Sequence, residues 1–196
     1  AVSVGQAAPD FKVKDTSGKE QSLSAYKGKY VVLEWVNPDC PFVKKHYDSS
    51  NMQATQKAAE AKGAVWLSVS TGSGGDAAEL ASWVKEKGAT PTATLLDTDG
   101  KVGKAFGART TPHMYVINPE GRLVYAGAID NKPTANKADV KGATNYVTAA
   151  LNEAMWELIE SLDLQDVAQR RVADLPTGTQ KRVELARALA AEPTML

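Results

Sequence analysis

The sequence predicts an α/β sandwich on a mixed central sheet, with a helical appendage at its C-terminal end. Three observations predict it. Runs of β-branched and aromatic residues alternate with helical stretches through residue 155. A Pro/Gly turn between two adjacent strand-like runs adds antiparallel pairing to a sheet otherwise built by crossovers. The composition then changes: residues 1–155 hold 16 Lys, 2 Arg and 14 of the 15 glycines, and residues 156–196 hold 1 Lys and 4 Arg. We therefore divide the chain at 155/156, inside a helical pattern.

The elements follow in order. Phe11–Asp15 alternates with period 2 and ends in the turn Thr16-Ser17-Gly18-Lys19. Tyr30–Val36 is a β-branched and aromatic run and reads as a buried central strand. Pro41–Ala61 reads as one helix, because proline suits a first helical turn. Gly63–Val69 is the next strand. Asp76–Lys87 is a helix capped near Gly75-Asp76 and stopped by Gly88. Thr92–Leu96 is a short strand before the turn Asp97–Gly100. Met114–Ile117 and Leu123–Ala126 are strands joined by the hairpin signal Asn118-Pro119-Glu120-Gly121. Ala143 to about Leu162 is the last long helix of this part.

Composition excludes several classes. Twenty-three basic and 23 acidic residues leave no net charge, against a broad nucleic-acid or membrane-binding surface. Apolar content of 43% supports a packed core. No run of 18 apolar residues is present, so no membrane span is expected. No cleavable leader is read. The start at Ala1 fits a processed export signal and equally a shortened chain.

A single cysteine rules out a disulfide within one chain. It lies in Asn37-Pro38-Asp39-Cys40-Pro41-Phe42-Val43, between the central strand and a helix. A cysteine at a helix start faces unpaired backbone N–H groups and the positive end of the dipole, both of which favour the nucleophilic thiolate. Lys44 and Lys45 add positive charge; Asp39 opposes it. The alternative is a half-buried structural cysteine.

Residues 1–155 resemble the thioredoxin-like redoxins, the peroxiredoxin and thiol-oxidoreductase relatives. The carriers are Gly5-Gln-Ala-Ala-Pro-Asp-Phe11, Trp35-Val-Asn-Pro-Asp-Cys-Pro-Phe42, Gly107-Ala-Arg-Thr-Thr-Pro-His113 and Ile117-Asn-Pro-Glu-Gly121. The resemblance implies a thioredoxin-like sandwich. It also implies Cys40 as the catalytic thiol beside a cis proline at Pro112, with Thr111, Pro112, Pro41 and Phe42 docking the substrate. Asn37, Lys44 and Arg109 are candidates for electrostatic support. Thr111-Pro112 as a plain turn and Arg109 as a surface ion pair are the alternatives.

The sequence departs from that family pattern. Thioredoxins carry Cys-x-x-Cys, and Val43 stands at the second position. Peroxiredoxins carry Pro-x-x-x-Thr-x-x-Cys, and Leu33 and Asn37 stand at the Pro and Thr positions. Copper-chaperone relatives need two cysteines and a histidine. Cys40 with His46 or His113 is a poor metal site, so neither metal nor cofactor is expected. Monothiol chemistry remains: attack on a disulfide or small peroxide, resolved by an external thiol or a disulfide-bearing protein partner.

The tail reads as helices after Trp156, with Val183, Ala186, Leu189 and Ala190 on one face. Leu175–Gln180, Ala186–Ala190 and Glu192-Pro193 resemble the signature region of ATP-binding-cassette ATPases of the branched-chain amino-acid importer type. No Gly-x-x-x-x-Gly-Lys-Ser/Thr is present, and Gly72–Gly75 reads as a loop, so ATP hydrolysis is not expected. The tail occupies the place where relatives often carry another cysteine, which makes the C-terminus look chimeric. The expected function is a thiol oxidoreductase acting through Cys40. Alternatives are a redox-inactive binding module, or a tail that docks a transporter component. Export is expected for the redoxin part; the transporter-like tail would belong in the cytoplasm.

Overall fold

The computed structural model describes residues 1–72 and 76–161. The readings of the tail from residue 162, and of Gly75 as a cap, lie outside the described residues.

Twelve regular strands and helices are described: β1 (Lys12–Lys14), β2 (Glu20–Ser22), β3 (Val31–Trp35), α1 (Pro41–Asp48), α2 (Asn51–Ala61), β4 (Val65–Thr71), α3 (Ala77–Glu86), β5 (Ala93–Asp97), α4 (Lys101–Phe106), β6 (His113–Ile117), β7 (Leu123–Gly127) and α5 (Tyr146–Ser161). The central sheet has the order β5-β4-β3-β6-β7. β3, β4 and β5 run parallel, while β6 pairs antiparallel with β3 and with β7. This is the mixed sheet of a thioredoxin-like fold, and α5 carries the chain through 155 and 156 without a break.

Strand periodicity sorts β3 between two cores. Val31, Leu33 and Trp35 join Leu67, Val69, Leu95, Phe106 and Tyr115 on one face. Val32 and Val36 join Tyr47, Met52, Trp66, Val116 and Leu151 on the other. Burying both faces explains why β3 reads as a continuous apolar run. Glu34 interrupts that run and is fully buried.

Three differences from the sequence reading have local causes. The helix expected over 41–61 breaks between α1 and α2, where Ser50 adopts the left-handed conformation (φ 62°). The Gln53 amide holds the break by donating to the carbonyl oxygens of Tyr47 (2.9 Å) and Lys87 (2.7 Å). The last helix starts at Tyr146 rather than Ala143, because the Asn145 side chain caps it by accepting from the Thr148 N–H at 3.0 Å. α4 was hidden behind the Asp97–Gly100 turn. It is short and rests on Asp97, whose two oxygens accept the N–H groups of Val102 (3.0 Å) and Gly103 (2.9 Å).

Candidate active site

Sheet register builds the site. Trp35, the last residue of β3, pairs with His113, the first residue of β6. The turn leaving β3 and the loop entering β6 therefore meet at one end of the sheet. In the first, the Asn37 side chain accepts from the Asp39 N–H (3.0 Å) and the Asn37 carbonyl from the Cys40 N–H (3.0 Å). This closes a tight turn that delivers Cys40 to the N-cap of α1, with Pro41 in the first helical position. In the second, the Thr111–Pro112 peptide is cis and Pro112 is buried.

Cys40 is half-buried, and its thiol donates to the Thr111 carbonyl oxygen at 3.2 Å. Burial pushes the thiol pKa up. Hydrogen bonds from the Thr111 side chain and from the Val43 and Phe42 N–H groups outweigh it and leave the pKa below its ordinary 9.0. The carbonyl contact serves only the neutral thiol, since a thiolate cannot donate. The hydroxyl and the two amides are the partners left for the anion.

The predicted site residues divide into two groups. Cys40, Thr111 and Pro112 come together, and Phe42 stands 43% exposed beside them. Val43 is fully buried in the core, which fixes the second thioredoxin position as a packing residue. Asn37 spends its side chain on its own turn. Arg109 is exposed, and its backbone N–H donates to His113 Nδ1 at 3.3 Å. Lys44 is exposed. Lys45 is a correction: it is buried, and its ammonium donates to the Lys132 carbonyl at 2.9 Å, tying the 130s loop to α1.

Sequence reasoning missed two features. One is Glu34, whose Oε1 accepts from Trp66 Nε1–H (3.0 Å), the Ser68 hydroxyl (3.0 Å) and Gln56 (3.5 Å). The Tyr47 hydroxyl lies 2.8 and 2.7 Å from its two oxygens. Burial raises the Glu34 pKa against these hydrogen bonds. A charged residue inside Val31–Trp35 was the available signal. The other is a buried pair: His46 Nδ1 meets the Asn51 amide at 2.9 Å and its Nε2 faces Asp130 Oδ2 at 3.9 Å. Burial and Lys45 lower the His46 pKa, against Asp130, which raises it.

Among the described residues, no three His, Cys, Asp or Glu side chains gather as a metal site. Among them too, no helix is long and apolar enough to cross a membrane.

Residues 4–126 match the AhpC/TSA family. The chain is 32% identical over 124 residues to a thiol-disulfide oxidoreductase, ResA, of Bacillus subtilis (strain 168), covering 63% of this chain and 66% of that protein. The match thus spans just under two thirds of that relative. It is 29% identical over 147 residues to the peroxiredoxin Bcp of the same organism, covering 63% of this chain and 83% of that protein. Among solved structures, a putative thiol:disulfide interchange protein, DsbE, from Chlorobium tepidum superposes with a TM-score of 0.59 at 20% identity. That superposition covers 76% of this chain and 99% of the other, and it bears on the fold.

Proposed function

Because the chain belongs to the AhpC/TSA family, we propose that it is a monothiol oxidoreductase acting through Cys40. The observation that carries this is the placement of Sγ. Cys40 is the N-cap residue of α1, which sets Sγ by the Phe42 and Val43 N–H groups, and Thr111 meets it from the loop before β6. These partners hold a thiolate ready for attack.

The thiolate attacks one sulfur of a disulfide. A new S–S bond joins Cys40 to that sulfur, and the other sulfur leaves as a thiolate and takes a proton from water. With a peroxide, the attacked oxygen stays on Cys40 as sulfenic acid and the distal oxygen leaves as hydroxide. The described residues offer no second cysteine, so an external thiol attacks the mixed disulfide or sulfenic acid and releases Cys40. Thr111, Pro112, Pro41 and the exposed Phe42 ring are the proposed docking surface for the substrate backbone and its apolar groups. Lys44, in the first turn of α1, and Arg109, in the loop before Thr111, are the proposed electrostatic support, whereas the Asn37 side chain holds the turn that presents Cys40. An oxidising, extracytoplasmic setting belongs to this proposal, since disulfides persist there.

The test is alkylation of Cys40 across pH, paired with turnover of a model disulfide and of hydrogen peroxide by an added thiol. The expected result is an alkylation midpoint below that of free cysteine, with turnover lost in Cys40→Ser. A midpoint no lower than that of a free cysteine measured alongside, with no turnover of either substrate, would leave a redox-inactive binding module instead.

A further inference from the structure

A groove of about 490 Å³ opens beside the site at the C-terminal ends of β3 and β4. Trp35, Thr71, Lys104, Arg109, Thr110 and Thr111 line it. Thr111 belongs to both places: it borders the groove, and its carbonyl oxygen lies 3.2 Å from Cys40 Sγ. Cys40 is not itself a lining residue, so the groove approaches the nucleophile through Thr111. We propose that this groove receives the carboxylate-bearing half of a small-molecule disulfide, presenting its sulfur to Cys40. The proposal rests on the monothiol reading and names its substrate class.

The charge of the groove is one-sided. Lys104 and Arg109 contribute two cations, and no Asp or Glu is among its described lining residues. Both cations are exposed, and neither pairs with an acid among the described residues. The nearby acids are committed elsewhere. Asp99 pairs with Lys101 at 3.0 Å. Asp97 is wholly buried beneath the groove and is satisfied by Val102 N–H, Gly103 N–H and the Thr71 hydroxyl (2.7 Å). The floor is fixed by the same chain of bonds, since Trp35 Nε1–H donates to Thr71 Oγ1 at 2.9 Å. Two cations beside the Thr110 hydroxyl, over a floor of the Trp35 ring and a Thr71 hydroxyl already committed to Asp97, suit a compact anion with some carbon skeleton. Pockets of about 300–1,000 Å³ hold small molecules rather than folded partners.

The reaction balances with the substrate as oxidant. Cys40 thiolate attacks the groove-bound sulfur, and the distal half leaves as a thiolate. An external thiolate then attacks the bound sulfur, restores Cys40 and departs as a new disulfide with the carboxylate-bearing half.

The experiment compares second-order rates of Cys40 with three disulfides at one pH and ionic strength. They are 5,5′-dithiobis(2-nitrobenzoate), which carries two carboxylates, neutral 2-hydroxyethyl disulfide, and cystamine, which carries two ammonium groups. In the Lys104→Gln/Arg109→Gln variant the anionic reagent should slow about tenfold more than the neutral one, while cystamine gains on it. Lys101→Gln, on the same helix but outside the lining, should leave the anionic-to-neutral ratio as it is. Equal slowing of all three reagents, an unchanged ratio in the double variant, or an equal effect of Lys101→Gln would overturn the groove assignment. Reaction of Cys40 with the neutral reagent at a free-thiol rate would instead count against the monothiol reading, and the charge ratio would still decide the groove.

Discussion

Cys40 and Thr111 meet at 3.2 Å, thiol to carbonyl oxygen, across 71 residues of sequence. The contact is a consequence of sheet register. Pairing Trp35 with His113 places the turn after β3 against the loop before β6, so the helix cap and the Thr-Pro loop share one corner. Thr111 then plays two parts. Its carbonyl accepts from the neutral thiol, and its hydroxyl helps to hold the thiolate.

Thr111→Val removes the hydroxyl and keeps the side-chain shape. The Cys40 pKa should rise toward 9.0, because burial then faces only the Phe42 and Val43 amides. Thiolate absorbance against pH reads this directly, and an unchanged midpoint would remove the hydroxyl from the account. The linked stability has a definite sign. A thiol with a lowered folded pKa adds stability that is fully present above the unfolded value and is lost as pH falls through the folded one. The reduced protein should therefore gain urea resistance as pH rises toward 9.0, and Cys40→Ser should lack that increment.

Burial raises the Glu34 pKa against the hydrogen bonds that Tyr47, Trp66, Ser68 and Gln56 donate to it. The Tyr47 hydroxyl donates to Oε2 at 2.7 Å, while Oε1 takes Trp66 and Ser68. Glutamine removes the charge and keeps an acceptor for Trp66 and Ser68, with its amide nitrogen facing the Tyr47 oxygen. A raised acid pKa contributes stability below the unfolded 4.5 that is lost as pH rises through the folded value. Glu34→Gln should therefore equal or exceed the parent above neutral pH. Glu34→Leu orphans Trp66 Nε1–H and two hydroxyls and should cost about 3–5 kcal/mol. Urea unfolding of both variants at pH 6 and pH 8, roughly bracketing neutrality, checks this. A Gln variant as damaged as the Leu variant would contradict the assignment.

His46 and His113 are both shifted below 6.5, chiefly by burial. A base with a lowered folded pKa adds stability that is present above 6.5 and is lost as pH falls through the folded value. Stability should thus decline below pH 6.5, with a slope of up to about 1.4 kcal/mol per pH unit for each histidine that titrates. His46→Gln should flatten part of this decline in a thermal-melt series. The remainder should vanish only when His113 is also replaced; a double variant as acid-sensitive as the parent would contradict the pairing.

The sequence made the sheet legible because its strands are short apolar runs with turns between them. Cys40 was legible for the same reason: it sits where a strand signal gives way to Pro41. The break at Ser50 was not, since Asp48-Ser49-Ser50-Asn51 acts through Gln53, a side chain that reaches back to Tyr47 and across to Lys87. Lys45 was misread because local spacing puts it near Cys40, whereas its partner, Lys132, is 87 residues away. Lys104 carried no signal at all, for α4 was unseen and the groove exists only where β4, α4 and the Thr111 loop converge.

Gly103 is the residue that permits this convergence. A Cβ there would meet Thr71 Oγ1 at 3.0 Å, Asp97 Oδ2 at 3.3 Å and Trp35 Nε1 at 3.5 Å. Its φ lies outside the left-handed region, so the cost of a side chain is steric rather than conformational. Gly103→Ala should push the Thr71 hydroxyl off Asp97, strand Trp35 Nε1–H and destabilise the protein by about 1–3 kcal/mol. Thr71→Ala removes the atom that the new methyl meets first. In that background Gly103→Ala should cost less, giving a coupling of about 1 kcal/mol between the two positions. A double-mutant cycle in urea reads this coupling. Strict additivity would mean that the Trp35–Thr71–Asp97 chain does not depend on the close approach at Gly103.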